Sequence, residues 1–147
     1  MAEKDPVTIA KESVEAFNSG DYEKTRALTA PDGVYEETAT NRRLVGVNDI
    51  EQAFRGWRTA FPDAKGTITK AFAFGNTAVL EIVWEGTQRG ELSGPLGTIP
   101  PSGKRVTVKA AQVVTVEGGK IKETHHYFDM FGMLMQIGAM PTPAGVR

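Results

Sequence analysis

The chain contains no cysteine in its 147 residues. That excludes disulfides, thiol nucleophiles and cysteine metal ligands. An excess of charge of one sign is also missing: 17 Lys and Arg face 18 Asp and Glu, a formal net charge of -1. A chain so balanced carries no electrostatic footprint for nucleic acid, and none is expected as a partner. No apolar run approaches the ~20 residues that a helix needs to cross a bilayer, so no membrane partner is expected. The first residues, Met1 to Phe17, are broken by charges and hold no apolar core of the kind that directs secretion, which places the expected location in the cytoplasm. There are no repeats, no low-complexity stretches and no linkers. Residues 1–147 are expected to form a single domain, large enough to bury a core without a metal or a disulfide.

What is present begins with helices. Asp5-Pro6 suits a helix start, because Asp5 can accept backbone N–H groups and Pro6 has no N–H to lose. Val7, Ala10, Val14 and Phe17 then share one helical face, and Asn18-Ser19-Gly20 ends it. Asp21 opens a second, short helix with Tyr22 and Leu28 inward. Asn48 or Asp49 is expected to cap a third helix, in which Ile50, Ala53, Phe54, Trp57 and Phe61 recur at helical spacing. A short strand at 34–38 lies between the second and third helices.

After Phe61-Pro62-Asp63 the period changes to two. Strands are expected over 66–74, 77–87, 104–116 and 120–128. In the second of these Ala78, Leu80, Ile82 and Trp84 alternate with Val79, Glu81, Val83 and Glu85, which marks one buried face. Phe131 to Ile137 reads as a short apolar helix or a terminal turn, and Pro141 and Pro143 make the tail irregular. Residues 88–103 are rich in Gly and Pro and suit an irregular cover at a pocket mouth or a dimer edge. Helices first and antiparallel strands later make an α+β fold, with helices on one side of a curved sheet and an apolar pocket at its open end.

The chemistry-bearing residues cluster at the end of the last strand, His125-His126-Tyr127-Phe128-Asp129. Alternation puts His125, Tyr127 and Asp129 on one face and His126 and Phe128 on the other. A carboxyl in an apolar pocket is pushed toward useful acid/base range, because desolvation disfavours its charged form. An aspartate at a strand end also serves as the ordinary cap of a following turn, here one starting at Met130. The opposed directions of His125 and His126, and the lack of any HExxH spacing, argue against a metal site. Gln112 is the one polar member of an otherwise apolar strand face, and Trp57, Trp84 and Tyr35 are candidates for the pocket wall.

Several segments together resemble a known family. Phe17-Asn18-Ser19-Gly20-Asp21 at the first helix end is similar to the nuclear-transport-factor-2-like superfamily of cone-shaped α+β folds. Ala60-Phe61-Pro62-Asp63, the run from Gly97 to Val106, Gly119-Lys120-Ile121, and Leu134-Met135-Gln136-Ile137-Gly138 after Asp129 resemble the SnoaL-like polyketide cyclase (ester cyclase) branch. The resemblance implies an intramolecular aldol ring closure without metal or organic cofactor. It carries the acid/base role to Asp129; in the cyclase reading Gln112, His125 or Tyr127 hydrogen-bonds the enolate oxygen, and His125 can share a proton with Asp129. Where those cyclases often have a histidine two residues before the aspartate, this chain has Tyr127. Two other readings share the fold. One is a ketosteroid-isomerase-like proton transfer using Tyr35 and Asp129, and the other is a binding module without catalysis. An epoxide hydrolase is disfavoured, because the late strands place no arginine inward. The expected partners are an apolar or aromatic small molecule and a second copy of the chain, met across Val79, Val83, Val113 and Thr115.

Overall fold

A computed structural model describes residues 4–94 and 97–140. The expected irregular tail at Pro141 and Pro143 lies outside the described residues. Helix α1 (Pro6–Ser19) starts as the sequence suggests: Asp5 accepts the Thr8 N–H and Pro6 takes the first turn. It stops at Gly20, whose φ of 68° is open to glycine at little cost. Helix α2 (Tyr22–Leu28) is capped by Asp21. Helix α3 (Val47–Ala60) begins instead after Gly46 with no side-chain cap. Asn48 is drawn away from capping, since its carboxamide oxygen accepts from Arg26 Nη2 at 2.7 Å.

The strands are β1 (Thr29–Glu37), β2 (Arg42–Val45), β3 (Lys65–Phe74), β4 (Thr77–Thr87), β5 (Leu92–Gly94), β6 (Gly97–Ile99), β7 (Arg105–Glu117) and β8 (Lys120–Phe128), followed by helix α4 (Met130–Gln136). Six of them form one sheet in the order β2-β1-β8-β7-β4-β3. All its pairings are antiparallel except β1 with β8, where the early and late parts of the chain run side by side. The architecture is α+β, as expected. Strand β2 was not foreseen, and residues 88–103 include the small hairpin β5–β6 rather than being wholly irregular.

Helix α1 lays Ile9, Ala10 and Val14 against Ala78, Leu80, Ile82, Val114 and Ile121 of the inner sheet face. Each large aliphatic side chain removed from water there contributes roughly 1.5–3 kcal/mol. A second apolar cluster joins Ala60, Phe61, Leu92, Val106, Met130 and Met133, so hairpin β5–β6 packs through Leu92 on the ends of α3 and α4. Two polar clamps fix the seam between helices and sheet. Asn18 exchanges hydrogen bonds with the Gly66 backbone in both directions, at 2.9 and 2.8 Å. Asp63 accepts from both the backbone N–H and the hydroxyl of Thr87. No helix among the described residues is long and apolar enough to cross a membrane.

One irregularity decides which side chains face inward. In β8, Ile121 pairs with Val116 and Glu123 pairs with Thr115, so Lys122 is the extra residue of a β-bulge. The bulge flips the alternation. Ile121 faces inward, and so do Thr124, His126 and Phe128 after it.

Candidate active site

Between α1, α3 and the inner sheet face lies a cavity of about 110 Å³. Phe17, Phe54, Trp57, Phe61, Trp84 and Phe128 are the aromatic part of its wall, beside aliphatic side chains such as Val14, Val106 and Val108. Phe17 meets Trp84 edge to face at 5.3 Å and Trp57 meets Phe128 so at 5.7 Å, while Trp57 and Phe61 stack. Edge-to-face contact suits their quadrupoles and fixes the shape of the wall.

A short chain of polar groups crosses this apolar space. Tyr35 Oη and His126 Nδ1 stand 2.6 Å apart, and both residues are buried. Trp84 Nε1 donates to His126 Nε2 at 3.2 Å. Burial lowers the His126 pKa to about 4, with the negative charge of Glu37 opposing, so the imidazole is neutral near pH 7. Burial raises the Tyr35 phenol well above its ordinary value, and Glu37 adds to the effect. The phenol therefore keeps its proton.

Glu37 is 1% exposed, although by sequence Glu36-Glu37 reads as one carboxylate inward and one outward on a solvated edge. Its Oε2 accepts from Trp57 Nε1 at 2.8 Å. Its Oε1 accepts from Thr40 Oγ1 at 2.8 Å and from Arg42 Nη2 at 2.7 Å. The carboxylate thus anchors the Trp57 wall. The signal that points to it is parity: Glu37 lies two residues beyond Tyr35 on the same inward strand face.

Tyr35, Trp57, Trp84 and Gln112 all line the cavity. Asp129, His125 and Tyr127 do not, and the expectation that they face it is corrected. Asp129 is exposed and caps α4, with Oδ1 accepting the Gly132 N–H at 2.8 Å. Glycine at 132 leaves room for that carboxylate, which a β-carbon there would strike. His125 lies on the outer sheet face between Glu36 and Glu123, at 3.0 and 2.5 Å. Tyr127 stacks on it and is 45% exposed. The physical reason is the bulge at Lys122. Alternation counted from the buried Ile121 reaches 125, 127 and 129, whereas the bulged strand turns 124, 126 and 128 inward.

The profile of the SnoaL-like polyketide cyclase family matches residues 8–137. No curated protein matches the sequence. Among solved structures, IdmH of Streptomyces antibioticus, described as a candidate polyketide cyclase, is 26% identical, with 92% of this chain and 99% of that one covered and a TM-score of 0.79. TsrD of Streptomyces laurentii is 24% identical, with 90% and 94% covered and a TM-score of 0.77. An LEH-like epoxide hydrolase of M. tuberculosis is 19% identical, with 91% and 90% covered and a TM-score of 0.69. The likenesses to TsrD and the hydrolase show the fold alone. The family profile spans most of the sequence, from the first turn of α1 to the residue after α4, and therefore both walls of the cavity. The chain belongs to the SnoaL-like polyketide cyclase family.

Proposed function

We propose that this protein is a cofactor-independent cyclase that closes a ring by intramolecular aldol addition on a small polyketide-type molecule. The observation that carries the reading is the buried Tyr35–His126 pair, set in a cavity whose wall is otherwise mostly aromatic and aliphatic. In this reading the nucleophile is the enol form of a 1,3-dicarbonyl. Tyr35 hydrogen-bonds the electrophilic carbonyl and gives its proton to the alkoxide as the carbon–carbon bond forms. The enol proton goes to solvent as its oxygen becomes a carbonyl, and the tyrosinate takes one up in turn, so protons balance without a free carboxylate. The cavity walls hold the two reacting carbons together, which removes much of the entropic barrier. Trp57, Trp84 and Gln112 bind the substrate, and Asp129 holds the start of α4.

Tyr35→Phe tests this. A synthetic poly-β-ketone ester is followed by the absorbance of its ring-closed product. The variant is expected to lose about 10²–10⁴-fold in kcat, the usual contribution of one acid/base group. Turnover at the wild-type rate refutes the reading. A carrier without catalysis is favoured by one observation: the cavity-lining carboxylate, Glu85, is engaged by Arg105 at 2.9 Å. A carrier binds the same ester and releases it unchanged. The proposal includes a homodimer across the outer sheet face. There Phe72, Val79 and Val113 stand in one cross-strand row, with Phe72 53% exposed. Sedimentation showing a monomer at working concentration excludes it.

A further inference from the structure

We propose that Trp84 is a positioning residue that sets the polarity of the site: it holds His126 as the Nδ1–H tautomer, so Tyr35 offers its proton to the cavity beside the open amide of Gln112. The two groups together select an enolised 1,3-dicarbonyl. The inference rests on the cyclase reading and adds the form in which the substrate is bound.

The argument starts from what an indole can do. Its N–H donates and never accepts. A neutral imidazole has one donor nitrogen and one acceptor. Trp84 Nε1–H ends on His126 Nε2 at 3.2 Å, so Nε2 must carry the lone pair and the proton must sit on Nδ1. The opposite tautomer would set two N–H groups against each other. Nδ1–H then donates to Tyr35 Oη across 2.6 Å. Having accepted that bond, the phenol is left with its own O–H to place. The Glu37 carboxylate raises the Tyr35 pKa as a neighbouring charge and as a hydrogen-bond acceptor, but its oxygens also receive Trp57, Thr40 and Arg42, so a ligand carbonyl in the cavity competes with it for the phenol proton. The Tyr35 proton passes to a ligand carbonyl when one is bound.

Gln112 supplies the second prong. It lines the cavity, is 8% exposed, and its carboxamide has no hydrogen-bond partner among the described residues. It stands directly opposite His126 in the β7–β8 register, on the same inward face. Opposed residues of this kind have β-carbons about 5 Å apart. No fully buried polar side-chain atom lacks a partner among the described residues, so the amide opens on cavity space, where water or a ligand takes it up. An enolised 1,3-dicarbonyl matches both prongs: its carbonyl oxygen accepts from Tyr35 and its enol O–H donates to the Gln112 carbonyl. Gly66 makes the arrangement possible, because the Trp84 ring occupies the space where a side chain at 66 would be.

The test has two readouts. Nitrogen-15 NMR of the ligand-free wild type, with labelled histidine, is expected to show His126 protonated at Nδ1 and bare at Nε2. In Trp84→Phe a population protonated at Nε2 is expected to appear. Binding is read by ultraviolet difference spectra with 1-phenylbutane-1,3-dione. Its affinity is expected to fall about tenfold or more in Trp84→Phe, in Tyr35→Phe and in Gln112→Leu. The 2,2-dimethyl derivative, which cannot enolise, is expected to bind the wild type no better than 1-phenylbutane-1,3-dione binds Tyr35→Phe. A wild-type His126 protonated at Nε2, or equal affinity for the two diketones, overturns the inference. The NMR experiment needs no turnover. A correct tautomer and enol preference without ring closure would sink the cyclase reading alone.

Discussion

Replacing Gly66 by alanine should damage the site without touching any group that meets a ligand. A β-carbon at 66 would sit 2.6, 2.8 and 2.9 Å from three carbons of the Trp84 ring. Carbon atoms in contact prefer about 3.5–4.0 Å, so the ring must move by about 1 Å. Strand β3 cannot yield instead, because Asn18 holds the Gly66 backbone from both sides. The shift carries Trp84 Nε1 beyond bonding distance of His126 Nε2, now 3.2 Å. Overpacking of this kind costs about 1–3 kcal/mol. Leaving a buried acceptor unpaired costs about 1–3 kcal/mol more. Against this, alanine at an unstrained backbone position reduces the entropy of the unfolded chain, a gain of about 0.4–1 kcal/mol. The net expectation is a loss of about 2–4 kcal/mol. At roughly 2–4 °C per kcal/mol for domains near this size, Tm falls by about 5–15 °C. Urea and thermal denaturation followed by circular dichroism measure it, and histidine NMR reports the lost tautomer preference. A variant within about 0.5 kcal/mol of wild type, with the Nδ1–H form intact, would refute the reasoning.

Glu37→Gln turns an amide N–H toward donors that now meet a carboxylate. A loss of about 1–3 kcal/mol is expected in urea denaturation, held down because the Arg42 side chain is 36% exposed and can hydrate. Stability should also depend on pH through His126. Its folded pKa of about 4 lies below the ordinary 6.5, so between these values the unfolded chain binds the extra proton. The stabilisation is complete above about pH 6.5 and falls progressively toward pH 4. It amounts to about 3 kcal/mol at 1.36 kcal/mol per pH unit. Denaturation midpoints measured across that range should show the slope in the wild type and lose it in His126→Phe. Asp129→Asn should change stability by less than about 0.5 kcal/mol, since asparagine caps as well, and should leave kcat unaltered. A collapse of turnover in that variant would return Asp129 to the chemistry.

The fold was legible where periodicity is strong and uninterrupted. Ala78, Leu80, Ile82 and Trp84 alternate without a break, and β4 is straight in register with β7 over its whole length. The site was half legible. Tyr35, Trp57, Trp84 and Gln112 are marked by type as large or polar exceptions in apolar surroundings, and all four line the cavity. The neighbouring histidines were exchanged, because a bulge is one extra residue with no signature of its own. Lys122 reads as an ordinary strand residue, yet it reverses the face of every residue after it. Glu37 was hidden for a different reason. Whether a carboxylate is buried depends on its donors, and Trp57 lies 20 positions away. Strand β2 is four residues long and half exposed, too short for its pattern to stand out.

The side-by-side pairing of β1 and β8 also sets the time at which the cavity comes into being. Tyr35 and His126 are 91 positions apart. At about 5–20 residues per second of synthesis, β1 waits roughly 5–20 s for the strand that completes it. During that interval most of the aromatic wall has been made, from Phe17 to Trp84, but one side of β1 has no neighbour. An early fragment therefore carries sticky rings and an open strand edge, with no site to show for them. The last sheet strand to emerge, β8, inserts between β1 and β7 and closes both at once. Long-range closure of this kind makes for slow folding. In the living cell the protein's period of greatest exposure to aggregation is the one just before its cavity forms.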